Sequence, residues 1–325
     1  MNKKEPSLTL ICVQPCLSYY AWQIEVMLTN FEEMGLGKYQ INCLFGYNKN
    51  EADWGEKVNE IKKVEDKFEK LAQFYYYEDT RQFPISYIST IRPHVLKKYF
   101  KDYPEMSNHR IFYHDCDIVF TKPPNFFDAI NEDDDNWYLS NTIEYIGADY
   151  ILKSGGEDIY QKMCEIVGIH PNLVYSKQDE SGGAQYLMKG VDTWFWDKVE
   201  RDSENMFREI TQINALKKEV NPNHDFQIWC SDMWAVLWNG WMRGFPTFVV
   251  QEMNFTWATE NVSRWDDNYI YHNAGVEDKD RDKLFLKADY MKEYPYQIDK
   301  EYPKEYASYK YFEIIKSIGK KSCLL

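Results

Sequence analysis

No window of the chain approaches the roughly 20 consecutive apolar residues that a membrane-spanning helix needs. Met1 to Ser7 is short and charged, without the apolar centre of a secretory leader. A soluble, cytoplasmic protein with no integral membrane segment is therefore expected. Cysteine never occurs as Cys-x-x-Cys. The seven present (12, 16, 43, 116, 164, 230 and 323) are scattered, several of them inside apolar runs, which reads as buried free thiols in a reducing compartment. Positive charge is also scarce. With 38 Lys and Arg against 52 Asp and Glu the net charge is −14, which argues against holding long nucleic acids or anionic membranes by charge alone. No internal repeat and no flexible linker interrupts the 325 residues, so one domain with an appended C-terminal part is expected.

Aromatic residues, in contrast, are plentiful: 26 Tyr, 18 Phe and 11 Trp make up 17% of the chain. Their flat apolar faces and polar edges suit sugar rings or nucleobases, although many serve simply as core. Leu8 to Val13 is a short β-branched apolar run closed by Gln14-Pro15, and it reads as a first buried strand. Tyr19 to Met34 follows with helical spacing and stops at Gly35, after which Ile41 to Phe45 resumes strand character. This β-α-β opening predicts a parallel sheet covered by helices. Further on, helices are expected over Glu51 to Phe74, Pro84 to Phe100 with Pro93 at a kink or fresh start, Asp158 to Gly168, and Val191 to Lys218. Phe126 to Asn136 reads as an acidic surface loop, Trp137 to Ile151 as a strand followed by a loop or strand, and Phe245 to Met253 as a strand. From Asp278 the tail is charged and tyrosine-rich and is expected to wrap the domain.

The stretch Ile111 to Phe120, Ile-Phe-Tyr-His-Asp-Cys-Asp-Ile-Val-Phe, organises the rest. Two carboxylates one residue apart sit between apolar segments, as when a buried strand runs into a polar site. In extended chain Asp115 and Asp117 point the same way and Cys116 the other. Like charges this close resist joint ionisation unless a cation joins them, and hard oxygen ligands favour Mg²⁺ or Mn²⁺ completed by phosphate and water. The bland alternative is a strand ending in a solvated turn. Arg92 and Lys97 lie just upstream, where a cation serves either a diphosphate or a surface ion pair.

Other candidates are spread downstream. Ser181-Gly182-Gly183-Ala184-Gln185 precedes a short strand, and adjacent glycines permit either close approach of a ligand or an unusual turn. Asp232 is embedded in Trp229-Cys-Ser231-Asp-Met-Trp234 on an expected helix, where an acid needs a partner or a task. His272 ends a strand just before Ala274-Gly275 and is either structural or a ligand.

In this order the features resemble the metal-dependent glycosyltransferases of GT-A fold. Ser-Gly-Gly-Ala-Gln-Tyr followed by Ser-Asp-Met-Trp is nearest in pattern to the hydroxyproline arabinosyltransferase and peptidyl-serine galactosyltransferase group. The resemblance spans about residues 8 to 290. It implies an α/β fold with a Rossmann-like mixed central sheet flanked by helices: a nucleotide-binding half over about 1–120, an acceptor half over about 121–290, and a tail, 291–325, packed on the domain. It also implies that Asp115, Asp117 and His272 hold Mn²⁺ (or Mg²⁺) against the diphosphate of a nucleotide sugar, UDP being the commonest. Val13, Gln14, Pro15, Arg92, Asp115 and Lys287 would serve the donor nucleotide, with Asp115 reaching the ribose or the metal. Asp232 would be the base or acceptor-orienting acid, and Gln185 would sit on the sugar face. Ser181, Gly182, Gly183 and Ser231 would line the sugar or acceptor site. If the enzyme inverts, Asp232 is indispensable; if it retains, Gln185 or Glu180 matters more. Related enzymes often follow the terminal histidine with Gly-x-x-Lys-Pro-Trp, whereas here Gly275 leads to Val276-Glu-Asp-Lys279. The lysine that meets the diphosphate is then Lys279, Lys283 or Lys287. The implied partners are a nucleotide sugar and a glycan or glycoprotein acceptor.

Two other functions fit parts of the pattern. Asp115-Cys-Asp-Ile-Val119 also matches a haloacid-dehalogenase-like phosphatase with Asp115 as nucleophile, and Asp266-Asp267 would be its partner pair. A non-catalytic sugar-binding relative would keep the fold without turnover.

Overall fold

The structure is a computed structural model that describes residues 8–81, 85–129 and 134–322. The N-terminal segment 1–7, Pro84, residues 130–133 of the acidic run, and Cys323 lie outside these. In chain order the strands are β1 (Leu8–Pro15), β2 (Gln40–Tyr47), β3 (Gln73–Glu78), β4 (Arg110–His114), β5 (Ile118–Phe120), β6 (Trp137–Asn141), β7 (Gly182–Met188), β8 (Thr247–Val249), β9 (Phe255–Trp257) and β10 (Ile270–His272). The longer helices are α1 (Ser18–Glu33), α2 (Trp54–Phe68), α3 (Ile91–Asp102), α4 (Glu157–Val167), α5 (Thr193–Val220), α6 (Ser231–Met242) and α7 (Ala307–Ser322). Seven strands form the main sheet in the order β3-β2-β1-β4-β7-β6-β8, and β5-β10-β9 form a small second one. The expected α/β architecture, a mostly parallel mixed sheet flanked by helices, is the one observed.

Contacts gather the chain into two compact units, one of Met1–Glu78, Tyr113–Glu132 and Gln251–Leu325, the other of Asp79–Phe112 and Asp133–Val250. The expected boundary at residue 120 falls within the first. In that unit β1, β2 and β3 run parallel, with Val13 opposite Leu44 and Phe45 opposite Tyr76. Strand β1 is buried except at Pro15, and α1 is buried from Ala21 to Leu28 and at Asn30 and Phe31, taking the polar Gln23, Glu25 and Asn30 inside with its apolar residues. Asn30 of α1 clamps β5 by donating to the Phe120 carbonyl at 3.0 Å and accepting from its N–H at 2.8 Å. The tail belongs to this unit as core. Tyr302, Tyr311, Phe312, Ile315 and Ile318 join Trp22, Val119, Tyr271 and Phe285 in one apolar cluster.

In the second unit β6 runs antiparallel to β7 and parallel to β8. Asp192 caps α5 by accepting from the Phe195 N–H at 2.7 Å. Buried Asp202 of α5 is satisfied by Lys198 at 2.7 Å and by Asn239 of α6 at 2.8 Å.

Several local expectations change. The charged segment after Glu51 is helix only to Phe68, and its end is strand β3, an aromatic strand with no two-residue alternation. Residues 143–150 are short helices rather than a second strand. The tail, expected only to wrap, carries α7. Pro93 sits in the first turn of α3, where its missing N–H costs nothing. The six described cysteines are free and buried, and among the described residues no helix is long and apolar enough to cross a membrane.

Candidate active site

In the first unit the sequence Asp115-Cys116-Asp117 forms a turn between β4 and β5 rather than one continuous strand. The two carboxylates converge nonetheless. Strand β10 pairs antiparallel with β5 so that His272 stands opposite Ile118, and the Asn273 N–H donates to the Asp117 carbonyl at 2.9 Å. That register brings His272 Nε2 to 3.2 Å from Asp117 Oδ1 and 3.6 Å from Asp115 Oδ2. One ligand atom from each of the three lies within 4.8 Å of the others. The His272 ring is fixed by Phe255 at 5.2 Å and by Trp257, nearly parallel to it at 6.4 Å. Behind it Gly275 adopts φ +81°, and a Cβ there would stand 3.1 Å from the Trp257 ring, so glycine is required.

The charge on Asp117 is compensated from two sides. Burial alone would raise its carboxyl, but the charges of Lys287 and His272 outweigh burial and hold it well below the usual carboxylate range. Burial likewise disfavours the Lys287 ammonium, and Asp117, which it contacts directly, reverses that and raises it above the ordinary lysine value. Of the lysines considered for the diphosphate, Lys287 reaches this cluster, whereas Lys279 pairs with Glu277 at 2.6 Å. Two carboxylate oxygens and a borderline imidazole nitrogen make a donor set that could hold a divalent metal ion. Val13, Gln14 and Pro15 occupy the C-terminal end of β1, paired with Leu44, Phe45 and Gly46 of β2.

The second unit holds a separate buried polar group. Asp232 lies in the first turn of α6, where the helix dipole favours its charge. Its Oδ2 is 2.8 Å from Arg92 Nη2. The Tyr87 hydroxyl lies 2.6 Å from Asp232 Oδ1 and 2.5 Å from the Trp229 carbonyl oxygen, so one proton serves both acceptors. Burial and the adjacent Asp232 keep that phenol well above its usual pKa and hence protonated. Arg92, assigned to the diphosphate from sequence, is thus engaged with Asp232. Lys97 pairs with Glu200 at 2.5 Å, and Glu180 with Lys177 at 2.6 Å.

No family model matches the sequence, and no curated protein does. Among solved structures the chain is similar to WbbM, a bifunctional glycosyltransferase, at 10% identity over 97% of this chain and 50% of that one, with a TM-score of 0.49. This chain therefore spans half the length of that protein. It is similar also to the galactosyltransferase LgtC in complex with donor and acceptor sugar analogues, at 11% identity over 95% of each chain, with a TM-score of 0.44. A mannosyltransferase from Pyrobaculum calidifontis in complex with GDP-Man and Mn²⁺ is similar at 13% identity over 74% of this chain and 72% of that one, with a TM-score of 0.30.

The glycine segment is explained partly by packing. Gly182 pairs with Asn141 and Tyr186 with Leu139, so residues 183–185 bulge opposite Ser140. A Cβ on Gly182 would stand 2.5 Å from Leu139 Cβ, and Ala184 is driven to φ +65°. Gln185 is fully buried and accepts from Ser140 Oγ at 2.7 Å. Ser181 is buried, and the Ser231 hydroxyl donates to the Ile228 carbonyl at 2.8 Å. Three residues near these groups escape sequence reasoning. Tyr19 lies within electrostatic reach of Lys287 and Asp117, and burial first of all pushes its phenol up to about 12. Asn273 accepts from the Tyr271 hydroxyl at 2.9 Å, while its buried amide nitrogen finds no partner among the described residues. Tyr87 touches Asp232 across 145 residues of sequence, a separation that no local pattern reveals. For a phosphatase of the haloacid dehalogenase type, Asp115 would follow the first strand of the core, but here it follows β4, and Asp267 is paired with Arg264 at 2.7 Å.

Proposed function

We propose that the chain is a metal-dependent glycosyltransferase of GT-A fold, moving a sugar from a nucleotide diphosphate sugar, UDP-sugar favoured, to a hydroxyl of a glycan or glycoprotein acceptor. The convergence of Asp115, Asp117 and His272 on a single point, with Lys287 seated against Asp117, supports it most directly. In this reading Asp115, Asp117 and His272 hold Mn²⁺ or Mg²⁺. When bound, the ion supplies positive charge where the departing diphosphate becomes more negative. In the same reading Lys287 donates to that diphosphate, and the end of β1, Val13 to Pro15, lines the nucleoside pocket, as the carboxyl ends of strands do in such sheets.

Gln185 and Asp232 are assigned to the transferred sugar and the acceptor hydroxyl, with Tyr87 and Arg92 as residues that position Asp232. A carboxylate held by two donors keeps its orientation, which a general base needs before its proton arrives. Calorimetry tests the donor site. UDP should bind in the presence of Mn²⁺ and fail to bind when Mn²⁺ is withheld. In Asp117→Ala, Mn²⁺-dependent binding should weaken by more than about 100-fold, since even changes behind a ligand cost 10–100-fold. No binding of any nucleoside diphosphate or nucleotide sugar with Mn²⁺ would sink the proposal.

A further inference from the structure

Trp229 is 54% exposed, although Trp234 and Trp238 on the helix that follows are fully buried. Its ring lies nearly parallel to that of Tyr145, with an interplanar angle of 18° and centroids 6.1 Å apart. Single exposed aromatics are ordinary, but this one is held in place. Its carbonyl oxygen takes the Tyr87 hydroxyl that also serves Asp232. Tyr87 is stacked on Phe207 at 4.7 Å, and Asp232 is locked by Arg92. The backbone that carries the indole is therefore fixed before any ligand arrives and Tyr145 supports the ring, which lowers the entropy lost on binding.

We infer that the Trp229–Tyr145 pair is a saccharide platform for the acceptor. The C–H face of a neutral pyranose would lie on the indole, and its hydroxyls would meet the Asp232–Arg92 pair. This inference rests on the glycosyltransferase reading above. A pyranose presents an apolar, slightly positive C–H face that matches the negative face of an aromatic ring. Its hydroxyls both donate and accept, so a carboxylate beside a guanidinium satisfies them. That pair is electrically balanced, which favours an uncharged polyol over a nucleotide. A nucleobase also stacks on indole, and the test separates the two.

Saturation-transfer NMR on the intact chain, with methyl glycosides of glucose, galactose and mannose as probes, reads binding without donor or metal. At least one glycoside should receive saturation on its ring protons. Trp229→Ala should weaken that binding about tenfold or more, the scale of one lost stacking contact. Trp229→Phe should keep most of it, and Trp194→Ala, which alters a tryptophan that is 74% exposed, should leave it unchanged. Absence of glycoside binding in the unmodified protein, or binding that survives Trp229→Ala, overturns the platform. Loss of UDP binding in Trp229→Ala with glycoside binding intact assigns the ring to a nucleobase and overturns it equally. If the glycosides bind through Trp229 while UDP with Mn²⁺ does not bind at all, the transferase reading fails and the saccharide site stands.

Discussion

Asp117 is a carboxylate that burial disfavours and that two neighbours hold ionised, Lys287 from one side and His272 from the other. Lys287 therefore competes with any cation for the same oxygens, and it also has the charge to meet a diphosphate. Replacing it separates the two effects. Lys287→Met should tighten Mn²⁺ binding in the absence of nucleotide yet weaken UDP binding about tenfold, the cost of one charge-assisted hydrogen bond. Calorimetry of Mn²⁺ alone and then of UDP at saturating Mn²⁺ reads both, and equal losses in the two would remove Lys287 from the donor site. Ala184 offers a stability test of the bulge. Its φ of +65° costs an L-residue about 1–2 kcal/mol. After the extra chain entropy of glycine, Ala184→Gly should raise stability by up to about 1 kcal/mol in urea unfolding. A loss instead would mean that the bulge carries no strain. The acids and His272 were legible because each is a charged or polar residue breaking an apolar strand. Lys287 was named for the donor from the family resemblance rather than from a local pattern, since its contact with Asp117 depends on how an irregular segment folds back.

Helices declared themselves by period, and short strands only by apolar runs. α1, α2, α4 and α5 repeat apolar residues every three or four positions over at least 11 residues, enough for the pattern to be read. β5, β8 and β10 fall within runs that read as strand, although at three residues each they are too short to show alternation, whereas β9, equally short, and β3, half-buried from Phe74 on, gave no such signal. α7 carries the same period, with Tyr311, Phe312, Ile315 and Ile318 on its buried face, but it follows a charged, tyrosine-rich stretch and its partners are distant in sequence. Packing also overrides propensity within helices, and two glycines show it. Gly55 of α2 has nothing within 4 Å of where a Cβ would stand. Gly55→Ala should therefore stabilise by up to about 1 kcal/mol, the propensity difference. On Gly240 of α6 a Cβ would lie 2.7 Å from the ring of Trp137. That ring is buried, stacked on Phe245 at 5.0 Å and bonded to the Lys189 carbonyl at 3.0 Å, so it has nowhere to go. Gly240→Ala should destabilise by about 1–3 kcal/mol despite its better propensity. Thermal melts of the pair should move in opposite directions, and a common direction would refute the packing account.

At the scale of the molecule, 52 acidic side chains against 38 basic ones leave few cations to spare, so acid stability turns on which buried carboxylates have found one. Asp79 and Glu200 have. Burial by itself would raise both, but Arg81 beside Asp79, and His94 and Lys97 beside Glu200, hold each below its usual value. A carboxyl depressed in the folded state stabilises fully above its unfolded pKa, about 3.9 for Asp and 4.3 for Glu, and loses that contribution as pH falls through the folded value. Asp202 has the opposite sign. Burial raises it beyond what Asn239 and Lys198 recover, so its charge costs stability at neutral pH and the cost is relieved as acid protonates it. The urea midpoint should accordingly fall between pH 7 and pH about 3.5. Asp79→Asn should flatten that fall by removing a contribution that acid would otherwise remove. Asp202→Asn should steepen it, because the partial relief in acid disappears. Parallel profiles for the two variants would mean that neither carboxylate governs the acid limb, and the burden would pass to the exposed pairs, which screening by water makes weak.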